Sequence, residues 1–161
     1  MNKKKIFRFM TMVYIISLGA VLGAVVYAGA VVAPNIFHSE LIFGKEIISN
    51  YQEGLIMTQN FLKLGYFVNF VIPLILLYET IKWKTFESGK WELIFLFLAV
   101  SSGLLFSSYY IPLIIEMQQK GETITASEVF KNTHFASELD FKLFAISILA
   151  LLILNLKKVL R

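Results

Sequence analysis

The chain has 161 residues, of which 57% are hydrophobic and only 16% are charged. Soluble domains carry about 45–50% apolar and about 25% charged residues, so this composition excludes soluble globular, disordered and fibrous proteins. Because the sequence has no cysteine, disulfides, thiolate metal sites and cysteine catalysis are excluded as well. The net charge of +4 does not indicate a nucleic-acid partner, because the basic residues are distributed as membrane orientation requires.

Four continuous apolar segments are long enough to cross a bilayer, which takes about 20 residues. They are residues 9–32, 61–78, 91–115 and 135–156. Because lipid offers no partner to unpaired backbone groups and the runs do not alternate, they are predicted to be helices. Apolar residues at helical spacing after Lys45 predict that the second helix begins near that residue. The whole chain, 1–161, is therefore predicted to be one all-α domain, an integral membrane four-helix bundle.

Basic residues are concentrated on one side of the predicted membrane. They precede the first span, lie between the second and third, and follow the fourth, whereas the other loops hold only Lys45, Lys120 and Lys131. By the positive-inside rule, both termini are predicted to be cytoplasmic. The predicted location is the bacterial inner membrane, with the lipid bilayer as the first partner.

The first span carries small residues at four-residue spacing, namely Gly19 and Gly23 with Ala20 and Ala24 beside them. Such spacing leaves a groove in which another helix can approach closely. We interpret this face as helix packing within the chain. Self-association into a homo-oligomer is the alternative.

Polar residues lie at membrane depth near the start of the fourth span: His134, Ser137, Glu138, Asp140 and Lys142. The first, third and last of them are four residues apart and form one stripe on a helix. Lys63 in the second span is expected at a similar depth, as a partner for Glu138 or Asp140. Because ionisable groups are costly in lipid, this cluster should face the interior or a wet pocket. Two interpretations stay open, a structural ion-pair cluster and an outward-facing binding pocket.

The two histidines, His38 and His134, are predicted at the same outer boundary of the membrane. Histidine is the commonest metal ligand, so with Glu40 or Glu138 they could hold a divalent metal, or together ligate a haem. No ligand-spaced motif accompanies them, so no cofactor is expected and haem or copper is the alternative. Ser137, His134 and Glu138 lie on one helix face with parallel side chains, so no catalytic residue is predicted.

Three stretches resemble one family. They are Gly23–Phe37 with its small residues and Pro34, Pro112 followed by Met117, and Phe130–Asp140 with His134-x-x-Ser137. Together they are similar to the transmembrane-protein-205-like family of small four-helix membrane proteins, in which Asn stands at the position of Asp140. The resemblance implies a protein of undefined biochemistry, with an animal member linked to platinum-drug tolerance. Copper-resistance-D-like proteins are similar in outline, but their histidines lie within the helices.

The sequence defines no enzyme activity. It favours a membrane protein that binds or helps to move a metal ion or small solute at an outward-facing polar pocket. Two alternatives remain, a haem- or copper-linked redox protein using His38 and His134, and a structural or assembly partner in the membrane. Lysine on two helices favours an anionic solute or a salt-bridged structural core over a bare metal ion.

Overall fold

A computed structural model describes residues 3–45, 47–85 and 87–160. Within these residues the chain is helical with short connections and no strand, so the all-α prediction is confirmed. The described part contains four helices that are long and apolar enough to cross a membrane. We name them α1 (Lys4–Phe37), α2 (Asn50–Lys84), α3 (Lys90–Gln119) and α4 (Glu128–Val159).

Each long helix packs against its neighbours in the chain, and α4 returns to pack against α1. The helices are joined by short connections, so successive helices run in opposite directions. The beginning of α1, the end of α4 and the α2–α3 connection lie at what we call the terminal end. The other two connections lie at the opposite end, which we call the distal end.

The interior is apolar, and so is much of the outer surface. Leu18, Val21, Val68 and Leu151 have no exposed surface and lie in one continuous core. Large apolar side chains also point outwards, among them Phe70, Phe97 and Ile146. An outer surface of this kind fits a bilayer, where lipid rather than water surrounds the protein.

The second long helix begins at Asn50, later than the Lys45 predicted from the sequence. A capping box explains the difference, because the Ser49 side chain accepts the Gln52 backbone N–H at 3.4 Å. The Gln52 side chain in turn accepts the Ser49 N–H at 2.9 Å. A separate short helix, Ser39–Phe43, lies earlier in the connection and ends at Gly44 with a φ of 70°.

Two of the long helices contain a π turn in the half nearer the distal end. The turns are Ala28–Val32 in α1 and Phe106–Tyr110 in α3. Each precedes a proline by two residues, Pro34 in α1 and Pro112 in α3. Proline lacks a backbone N–H and its ring clashes with the carbonyl four residues earlier, and a wider π turn relieves that clash.

Candidate functional site

A cavity of about 820 Å³ lies among the four long helices in their distal half. Ligand sites in proteins have volumes of about 300–1,000 Å³, so this space is large enough for a small organic molecule. All four long helices contribute lining residues, including Val26 of α1, Met57 of α2, Ile114 of α3 and Ala145 of α4. We call it the distal cavity.

Three aromatic rings from three helices form an apolar part of the wall. Phe61, Phe106 and Phe141 have ring centroids 5.5, 5.3 and 4.8 Å apart in the three pairings. Gly29 of α1 faces them closely, since a Cβ there would lie 3.4 Å from the Phe141 ring. Phe106 and Gly29 belong to the two π turns, so both irregular turns border the cavity. Single π turns occur often at functional sites.

The charged side chains in the lining of the distal cavity come from α4, whereas α2 and α3 add uncharged polar ones such as Thr58 and Gln118. His134, Ser137, Glu138 and Lys142, all predicted site residues, line it. The Lys142 ammonium donates to the Glu138 carboxylate at 2.6 Å, the i,i+4 pair expected from their spacing. Their side chains are 62% and 47% exposed, so the pair is open to the cavity rather than sealed in the core.

The other predicted site residues do not join this lining. Lys63 is exposed on α2 and forms no ion pair with Glu138 or Asp140 within the described chain. The partner of Glu138 is Lys142 instead, because Lys142 lies one turn further along the same helix. Asp140 is half-buried, and its Oδ2 has no hydrogen-bond partner in the described part of the chain.

His38 is also separate from the cavity wall. It lies after the distal end of α1, exposed, with its Nδ1 3.5 Å from Glu40. His134 stacks on Phe130 within its own helix, with ring centroids 6.2 Å apart. Among the residues that the structure describes, no three His, Asp or Glu side chains are grouped so that they could hold a metal ion.

The small-residue face of α1 points outwards. Gly19, Ala20 and Gly23 are exposed, and Ala24 is partly buried. A Cβ added at Gly19 or Gly23 would meet no described atom within 4 Å. The two glycines therefore make no close contact within the described residues, whereas Ala24 of the same predicted face packs against the hydrophobic core.

A second polar cluster, which the sequence analysis did not single out, lies in the core at the terminal end. It consists of Tyr14, Glu79, Lys82, Glu92, Asn155 and Lys158. We call it the terminal network. It takes residues from all four long helices, and all but Lys158 are buried.

Lys82 is the centre of the terminal network. Its ammonium lies 2.9 Å from Glu79, 2.6 Å from the Asn155 side-chain oxygen and 3.4 Å from Glu92. The Tyr14 hydroxyl donates to Glu79 at 2.6 Å, and Lys158 donates to Glu92 at 2.7 Å. Two lysines thus balance two glutamates, which removes the net charge from a region of low dielectric constant.

The sequence contained a signal for this network. Glu79 and Lys82, and likewise Asn155 and Lys158, are three residues apart and so face the same side of a helix. By their place in the sequence, Lys82 and Lys158 indicate only positive charges that orient the protein in the membrane. Whether the turn that carries Glu79 and Lys82 contacts the turn that carries Asn155 and Lys158 depends on how the helices pack. The spacing of residues within one helix does not predict that packing.

The four long apolar helices indicate a multi-pass membrane protein. Residues 16–123 match the model of a family described as Domain of unknown function (DUF4149). The match covers more than half of the chain, and the chain therefore belongs to this family. No curated protein and no solved structure matches the chain.

Proposed function

We propose that this protein binds a small organic solute in the distal cavity and helps it to enter or cross the membrane. The observation that carries the proposal is the cavity itself, whose lining combines apolar residues of all four long helices with charged residues of α4. Binding sites typically combine a mainly apolar lining with a few polar groups that orient the ligand. A bare metal ion is less well matched, since Lys142 already neutralises Glu138.

We further propose a four-helix bundle in a bacterial inner membrane, with both termini cytoplasmic and the cavity facing outwards. The distribution of lysine and arginine supports this orientation, because basic residues accumulate at the terminal end. Membership of the transmembrane-protein-205-like group remains a proposal, supported by His134-x-x-Ser137 and the proline positions.

Solute binding can be tested with a neutral apolar probe. The purified protein in nanodiscs of zwitterionic lipid would be incubated with a photoactivatable 16-carbon alcohol, and the labelled peptides mapped by mass spectrometry. We expect labelling around Phe61, Phe106 and Phe141, in competition with unlabelled alcohol. Labelling spread evenly over the outer surface, without competition, would contradict a binding site.

A matched pair of variants sharpens the test. Ala30 and Ala20 are both exposed on α1, but only Ala30 lines the cavity. Ala30→Phe should fill part of the space and reduce the competed labelling, while Ala20→Phe should leave it unchanged. An equal effect of both changes would mean that the labelling does not report on the cavity.

Self-association is a second candidate role, and the outward position of Gly19 and Gly23 favours it. Small residues four apart on an exposed helix face allow two helices to approach closely in lipid. A homo-oligomer formed through this face would leave the distal cavity of each copy intact, because neither glycine lines it.

A further inference from the structure

We propose that the solute is a single-chain amphiphile with an anionic head, specifically a long-chain carboxylate. This inference rests on the proposed function and names the chemical class of its ligand. It combines two observations on the same cavity. The first is that the lining has an apolar part and a charged part, and the second is the sign of the net charge on the charged part.

The apolar part of the lining fits a hydrocarbon chain. The lining residues contributed by α1 are uncharged: Val25, Val26, Gly29, Ala30, Ala33 and Phe37. The rings of Phe61, Phe106 and Phe141 also belong to the lining. A chain lying against this lining removes its own apolar area, and that of the exposed lining, from water, worth about 25 cal/mol for each Å² buried.

The charged part of the lining has an excess of one positive charge. Its ionised residues among those described are Lys131, Lys142 and Glu138, all on α4. Lys142 and Glu138 neutralise each other at 2.6 Å. Lys131 is exposed at the distal rim, and its ammonium has no partner within the described residues; Glu128, three residues earlier on α4, lies outside the lining. One ammonium therefore remains to attract a head of charge −1.

The position of the charges matches the length of an amphiphile. Lys131 lies near the distal start of α4, where the helix would leave the membrane, while Phe141 and Ala145 lie about three and four turns deeper. A carboxylate at the rim would meet Lys131, and the chain would extend past the aromatic rings. A cationic head would meet an excess of like charge, and a neutral head would gain only the apolar contacts.

Photolabelling with three probes of one chain length separates these cases. Nanodiscs of zwitterionic lipid holding the full chain would receive photoactivatable 16-carbon carboxylate, alcohol or trimethylammonium, each competed by its unlabelled form. We expect labelling of the cavity peptides at the lowest concentration for the carboxylate, then the alcohol, then the ammonium. Labelling by the carboxylate should weaken with added salt.

Two variants should move carboxylate binding in opposite directions. Lys131→Gln should weaken it by about two- to fivefold, the range for a solvent-exposed ion pair. Glu138→Gln frees Lys142 and should strengthen it. Lys63→Gln is the matched control, because Lys63 is an exposed lysine outside the cavity lining and should leave binding unchanged. None of these changes should alter labelling by the alcohol.

The outcomes distinguish the inference from the function on which it rests. If the alcohol and carboxylate label the cavity equally and Lys131→Gln has no effect, the cavity binds solutes but does not select an anionic head group. If the trimethylammonium probe labels at the lowest concentration, the proposed negative charge of the head group is contradicted. If no probe gives competed labelling of the cavity peptides, the proposed binding function fails, and this inference with it.

Discussion

Lys82 and Glu79 form an ion pair of 2.9 Å in which both side chains are almost completely buried, 3% and 0% exposed. They lie one turn apart on α2, and through Tyr14, Glu92 and Asn155 they connect that helix to the other three. A buried pair need not stabilise a protein, because removing two charges from water is costly. Once formed, however, neither partner can be lost without leaving a buried charge.

We predict that Lys82→Met destabilises the protein by about 3–5 kcal/mol, the range for breaking a buried ion pair. The reason is that Glu79 and Glu92 would both lose the ammonium between them. The measurement is the unfolding midpoint in detergent. The double variant Glu79→Gln, Lys82→Met should be less destabilised than Lys82→Met alone. If it is more destabilised, the network does not act through charge compensation.

The pair in the distal cavity should respond differently. Lys142→Leu is expected to lower the unfolding midpoint by less than Lys82→Met, because the Lys142 and Glu138 side chains are about half exposed. Exposed pairs contribute about 0–1 kcal/mol. The same detergent unfolding experiment checks it. An effect as large as that of Lys82→Met would mean that the Glu138 carboxylate is sealed from water in the folded protein.

Segments of the fold could be predicted, but the pairing of their polar residues could not. The helices follow from long apolar runs, since lipid leaves the backbone no other way to satisfy its hydrogen bonds. The Glu138–Lys142 pair follows from i,i+4 spacing. Lys63 was expected to reach Glu138 from another helix, but contacts between helices depend on the rotation of each one. That rotation is set by the sum of many packing contacts.

The π turns illustrate the same limit. Pro34 and Pro112 could be identified as points where a helix kinks or ends, because proline breaks the backbone hydrogen-bond pattern. The predicted span 91–115 already runs past Pro112, but the sequence did not indicate the π turns, nor that they border the cavity. Whether a helix ends or continues at a proline depends on the helices packed around it, and the local sequence does not specify that packing.

Close packing around Gly103 gives a further prediction. A Cβ at Gly103 would lie 2.9 Å from the Phe144 ring and 3.0 Å from the Ile72 Cδ1. Phe144 is only 1% exposed and has little room to move, so Gly103→Ala should destabilise the protein by about 1–3 kcal/mol. Gly23→Ala is the control. It should be neutral or stabilising, because replacing a helical glycine reduces the backbone freedom of the unfolded chain. Equal unfolding midpoints for the two variants would contradict the packing.

The orientation in the membrane leads to a direct test. Because basic residues accumulate at the terminal end, we expect a reporter fused after Leu160 to be active in the cytoplasm. A reporter inserted at Gly121, in the short connection between α3 and α4, should be active on the other side. Cytoplasmic activity for both fusions would contradict the four-span topology, and reversed activities would contradict the orientation.

The exposed glycines of α1 provide the last prediction. If copies of the chain associate through Gly19 and Gly23, a large side chain there must separate the helices, since close approach depends on the missing Cβ. Gly19→Ile and Gly23→Ile should each shift the protein from dimer to monomer in a nanodisc or crosslinking assay. Both sites are open within the described chain, so the fold of each copy should persist. Ser108→Ile, a small-to-large change at an exposed position of α3, is the control and should leave association unchanged. A wild-type protein that is already monomeric at high protein-to-lipid ratio would contradict the proposal, and the outward face of α1 would then contact lipid alone.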